Sequence, residues 1–167
     1  MNAPMPPVCN PQRQSGVMLI EALIGLLIFS IGILAMIGMQ ATAFSASADA
    51  KNRADAAAFA NRIISEIWMS IDRTSDGSIA TSLNTFALNT TGTDCAFSGG
   101  QADATNTGVA AWVSAVTDTT TGLLGATANM QQISVATGSQ NLVTVTVCWR
   151  TPQDLRARRH QVMTNVF

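Results

Sequence analysis

The feature that most constrains this chain is an uninterrupted apolar run, Val17 to Met39, that holds one charged side chain, Glu21. As a helix the run is about 35 Å long, enough to cross a hydrocarbon core of about 30 Å. Arg13 is the only charged side chain upstream, and its position favours a cytoplasmic N-terminus with the remainder outside. Ahead of the run, Pro4, Pro6, Pro7 and Pro11 forbid a regular helix. That polar stretch ends Arg13-Gln14-Ser15-Gly16.

Three readings of this N-terminus compete. An ordinary secretory signal would be cut after Ala46-Ser47-Ala48, a suitable small-residue site, but the apolar run is longer than such signals carry. A plain signal anchor accounts for length and orientation and leaves Glu21 unexplained. A signal cut after Gly16 accounts for all three features. It would create a cationic amine at Val17, one helical turn from Glu21. A carboxylate within a spanning helix costs about 2.5 to 3.5 kcal/mol at mid-membrane and generally has a partner. An acid near a helix N-terminus also suits the macrodipole. The amine of an adjacent subunit could neutralise Glu21 while both are buried, setting the axial stagger of packed helices.

The pattern Gly16-Val17-Met18-Leu19-Ile20-Glu21, followed by a long uncharged helix, resembles the type IV prepilin signal. The stretch Ile20 to Gly32 resembles especially the minor pilins of the PilV type, with weaker likeness at Trp112 and at Val143 to Arg150. Type II secretion pseudopilins share the signal. The resemblance implies that a membrane prepilin peptidase cuts after Gly16 and methylates Val17, which stands where the family typically has Phe. It implies an α+β, type IV pilin-like fold: a long N-terminal helix, half transmembrane and half amphipathic, packed on a small antiparallel sheet. The expected segments are a leader at 1–16, the membrane and assembly half at 17–40, the amphipathic half at 41–73 and a periplasmic head with a C-terminal β-hairpin at 74–167.

The residues beyond the membrane run support much of this independently. No Pro occurs between Pro11 and Pro152. Ala56, Phe59, Ala60, Ile63, Ile67 and Ile71 recur at three- and four-residue steps, marking one apolar helix face for a sheet to cover. Arg62 and Glu66 have the spacing of an ion pair. Asp76-Gly77 predicts the helix stop, and 78–108 predicts loops. There Asn89-Thr90-Thr91 matches a glycosylation acceptor, although a plain Thr-rich loop is the preferred reading. Val109 to Val116 predicts a short helix with Trp112 in the core. Leu142 to Arg150 alternates Val143, Val145, Val147 and Trp149 against Thr144, Thr146 and Cys148, a strand pattern. Arg158 to Val166 reads as its return strand and Met130 to Val135 as a third.

The head is rich in Thr, Ala, Ser and Asn, so its core must be small. Of the three cysteines, Cys9 lies in the expected leader. Cys95 and Cys148 remain, and in an oxidising compartment they are expected to pair, with two buried thiols as the alternative.

No catalytic set is present. The sole histidine, His160, has no Cys or acidic cluster at ligand spacing. Nucleophile-elbow, Walker and dinucleotide-binding patterns are missing. No enzyme, cofactor or metal is expected. The formal net charge of -1 gives no support for general nucleic-acid binding. Charge is uneven, however. No Lys or Arg lies between Arg73 and Arg150, where Asp76, Asp94, Asp103 and Asp118 occur. Arg156, Arg158, Arg159 and His160 then cluster. The cluster reads first as a solvated hairpin end, next as a contact for acidic neighbouring subunits, and last as a DNA contact.

The expectation is a minor pilin of the inner membrane that enters a pilus or its priming complex at the cell surface. Its partners would be the peptidase, the inner-membrane assembly platform, and other minor and major pilins. A type II secretion minor pseudopilin is the near alternative. A membrane-anchored periplasmic binding protein, or a secreted domain cut after Ala48, is the alternative of another class.

Overall fold

The apolar run and the amphipathic stripe behind it form one helix. A computed structural model describes residues 15–99, 106–138 and 140–167. The expected leader up to residue 14, with Arg13 and Cys9, lies outside the described residues, as does Asp103. The chain divides into two units, one ending at Ser47 and the other spanning Ala48–Phe167. Helix α1, Ser15–Ser70, contributes to both.

In the second unit, Ala56, Ala60, Ile63, Ile67 and Ile71 are buried along one side of α1. They share a core with Val143, Val145, Val147 and Trp149. Those four belong to β4, Leu142–Trp149, the middle strand of an antiparallel sheet between β3, Gln131–Ala136, and β5, Arg158–Asn165. The register sets Val145 opposite both Ile133 and Val162. The expected helix-on-sheet packing is therefore present, with the three strands close to their expected bounds. Leu88 bridges to Ile133 on the outer side of β3, covering part of an otherwise open edge.

Two expectations need correction. Asp76-Gly77 does not stop α1, which ends at Ser70. Arg73 ends it instead: its guanidinium donates to the Trp68 and Ile71 carbonyls and lies over the Trp68 ring. A cation there satisfies carbonyls that the last turn leaves open. Asp76 and Gly77 begin a second helix, α2, Asp76–Asn84, capped by Ser75, whose hydroxyl accepts from Ser78 N. The 78–108 stretch is accordingly more ordered than a loop. α2 buries Ile79 and Leu83. A hairpin follows, β1, Thr91–Thr93, and β2, Ala96–Ser98. Its turn residues Asp94 and Cys95 both have positive φ, as a two-residue primed turn requires. The short apolar spacing of α2 and the brevity of β1 and β2 leave little periodic signal.

Helix α3, Thr107–Thr117, is capped by Asn106 and buries Val109, Trp112 and Val116. The Trp112 indole donates to the Phe59 carbonyl of α1 at 2.9 Å. Glu66 lies against Gly108 in the first turn of α3, where an acid suits the helix dipole. Among the described residues Glu66 forms no ion pair with Arg62. At the other end of α3, Asp118 accepts from Thr120 and Thr121 through both amides and hydroxyls. These bonds, the Thr120 hydroxyl first, hold its carboxyl well below the ordinary range.

The two buried tryptophans give a paired test. Trp112→Phe removes a satisfied hydrogen bond and trims a fully buried side chain. It is expected to lower unfolding stability by about 1 to 3 kcal/mol. Trp149 Nε1 finds no acceptor among the described residues, so Trp149→Phe is expected to cost clearly less. Chemical denaturation of the full chain in detergent, followed by fluorescence of the remaining tryptophans, compares them.

Candidate functional site

The first unit offers one surface. Every side chain from Gly16 to Ser47 is exposed, including Phe29 at 66% and Leu34 at 68%. A continuous apolar surface of this kind needs lipid or other helices around it. The helix is long and apolar enough to cross a membrane. Ser30 Oγ donates to the Leu26 carbonyl at 2.7 Å, so its hydroxyl is satisfied without water.

Gly16 and Val17 lie in the first turn of α1 and Glu21 one turn further on. Glu21 has no hydrogen-bond or ion-pair partner among the described residues. At about 100° per residue, Gly25 and Gly32 fall within about 40° of Glu21 around the axis. A Cβ added at Gly25, Gly32 or Gly38 would meet nothing within 4 Å. These glycines therefore serve no contact inside the chain. They leave a flat strip beside the carboxylate where another helix backbone can come close.

In the second unit, Cys95 and Cys148 form a disulfide with Cα atoms 5.9 Å apart. It ties the β1–β2 turn to the far face of β4, the Thr face expected from the alternation. Beside it is a buried polar link that the sequence did not announce. Gln131 is fully buried, donates to the Cys148 carbonyl at 2.9 Å and accepts from Cys148 N at 3.3 Å. Asn89 is also buried, and its amide donates to the Ala128 and Gln131 carbonyls, both at 2.9 Å. That commitment leaves the plain loop reading of the Asn89 acceptor pattern.

The basic cluster does not form one surface. Paired residues on neighbouring strands point to the same face. Arg158 pairs with Trp149 and His160 with Val147, on the face toward the core. Arg159 pairs with Cys148 on the opposite face. Arg156 is exposed in the β4–β5 connection. Arg158 is a structural clamp. Its Nε and Nη2 donate to both oxygens of Asp154 at 3.0 and 2.9 Å, while Nη1 donates to Asp49 on α1. Asp154 also accepts from the Thr151 hydroxyl at 2.7 Å. The Asp154–Arg158 spacing was open to sequence inspection. The Asp49 partner is too remote in the chain for any local pattern to reveal.

The described residues contain no group of His, Cys, Asp and Glu able to hold a metal ion. Comparisons with family models, curated proteins and solved structures find no match for the chain.

Two outcomes follow from this geometry. The bonds from Arg158 first and Thr151 next lower the Asp154 pKa to about 2. The unfolded chain therefore binds more protons between the ordinary aspartate value of about 4 and the native value of about 2. The stability from this clamp is complete above about pH 4 and is lost as pH falls through about 2. Asp154→Asn should flatten that part of the acid-unfolding curve. Separately, replacing Cys95 and Cys148 together by Ser should lower unfolding stability by about 2 to 4 kcal/mol in denaturant titration.

Proposed function

We propose that this chain is a minor type IV pilin. It inserts in the inner membrane with its N-terminus in the cytoplasm and its globular unit in the periplasm. Prepilin peptidase cuts after Gly16 and methylates Val17, and the subunit then enters the pilus or its priming complex. The observation that carries this reading is Glu21. It is an exposed carboxylate without a partner among the described residues, one turn beyond the amine that cleavage would create, in an otherwise apolar stretch of α1. A buried carboxylate needs a counter-charge, and a neighbouring subunit's Val17 amine supplies one. The strip at Gly25 and Gly32 supports close helix packing beside it. The α+β architecture is compatible with a pilin-like fold. The type II secretion system uses the same assembly logic, so loss of surface pili on deletion, with secretion intact, favours the pilus.

One observation favours a different reading. The second unit begins at Ala48, and a chain cut there would keep the Asp49–Arg158 ion pair. Such a product would be a secreted domain.

Mass spectrometry of the mature N-terminus separates the two. The expected start is methylated Val17, whereas a start at Asp49, or an intact Met1, overturns the pilin reading. Glu21→Ala should remain membrane-inserted yet be incorporated into filaments about tenfold less, equivalent to about 1.4 kcal/mol. Normal incorporation would remove charge pairing from the assembly step.

A further inference from the structure

The arginines that escape the clamp meet elsewhere. Arg150, Arg156 and Arg159 line a groove of about 860 Å³ beside the β4–β5 connection, together with Leu155, Met130 and Asp94. All three arginines are exposed, and among the described residues none forms an ion pair. Among the described residues Asp94 is the one carboxylate in the lining, against three arginines, so that lining is positive in a chain whose formal net charge is -1.

The walls are held firmly. The disulfide fixes Cys95, and Asp94 beside it, to β4. Gly125 sits so close to the Arg150 carbonyl that a Cβ would come within 2.0 Å of it, which leaves no room for a side chain. The connection itself is pinned by Thr151, Asp154 and Arg158. Yet the residue this pinned loop presents, Leu155, is 98% exposed. An exposed apolar side chain carried on a pinned backbone among arginines offers an interface anchor, because the loop needs little further ordering when it binds.

We propose that this groove binds an acidic, leucine-bearing segment of a partner protein. The three arginines match glutamate or aspartate side chains, and Leu155 with Met130 matches the apolar residues between them. Nucleic acid fits less well: among the described residues no aromatic side chain lines the groove to stack a base, and Asp94 would face phosphate. The groove lies wholly within the second unit. The inference therefore stands apart from the assembly role of Glu21, and failure of the Glu21 test leaves it unaffected.

The test uses the full chain in detergent and fluorescence anisotropy with a labelled short peptide alternating glutamate and leucine. The expected result is saturable binding that weakens as salt rises. Arg156→Glu combined with Arg159→Glu should reduce affinity about tenfold or more, and Leu155→Ser about fivefold. Arg62→Glu, on α1 outside the groove, should leave affinity unchanged. The substituted groove positions are exposed, and an intact Cys95–Cys148 bond by mass spectrometry confirms the fold of each variant. Three results overturn the proposal. One is no binding of the glutamate peptide. Another is equal binding of a glutamine-for-glutamate version. The third is tighter binding of an oligothymidylate, which would assign the groove to nucleic acid.

Discussion

The globular unit depends on one burial event: the stripe Ala56, Ala60, Ile63, Ile67 and Ile71 of α1 packing with the valine face of β4. A small sheet needs its apolar face covered to be stable in water. Each isoleucine side chain fully removed from water contributes about 1.5 to 3 kcal/mol. The two alanines leave space for larger neighbours such as Trp112, whose indole then bonds to the α1 backbone. Helices α2 and α3 complete the cover with Leu83, Val109 and Val116. Without the helix stripe there is no second layer for the sheet, and the head's modest apolar content offers no substitute.

Polar links then fix positions that burial alone would leave loose. Gln131 and the disulfide both act at Cys148, one through its backbone and the other through its side chain. Arg158 joins α1 to the β4–β5 connection through Asp49 and Asp154. These links decide where the loops stand. The same division explains why Arg158 belongs with the scaffold while Arg156 and Arg159, its neighbours in sequence, face solvent.

The helix α1 carries two chemistries on one period. From Gly16 to Ser47 every side chain is exposed and mostly apolar, with Glu21 as the single charge. Its second part buries apolar residues along one face and spreads Arg53, Arg62 and Asn61 over the rest. An all-round apolar surface asks for lipid or like helices, and a one-sided surface asks for a sheet. The proposed role in filament assembly uses the first, while the groove beside Leu155 would give the second a partner of its own.

Much of this was legible in the chain because it rests on period. The membrane-length run, the α1 stripe, the alternation of β4 and the helix around Trp112 each repeat a local pattern that burial on one face imposes. Glu21 stood out because a lone carboxylate in an apolar run has no local reason to be there. Other features depended on contacts between distant segments. Arg73 rather than Asp76-Gly77 ended α1, because a guanidinium happened to reach the last carbonyls. The pairing of Arg158 with Asp49, the burial of Gln131 and the gathering of Arg150, Arg156 and Arg159 into one groove arise only when strand register places those residues. Sequence by itself determined which segments could be helix, strand or membrane run, since side-chain period is a local property. Tertiary structure alone decided which charges became scaffold and which stayed free, since that depends on what the fold sets opposite each one.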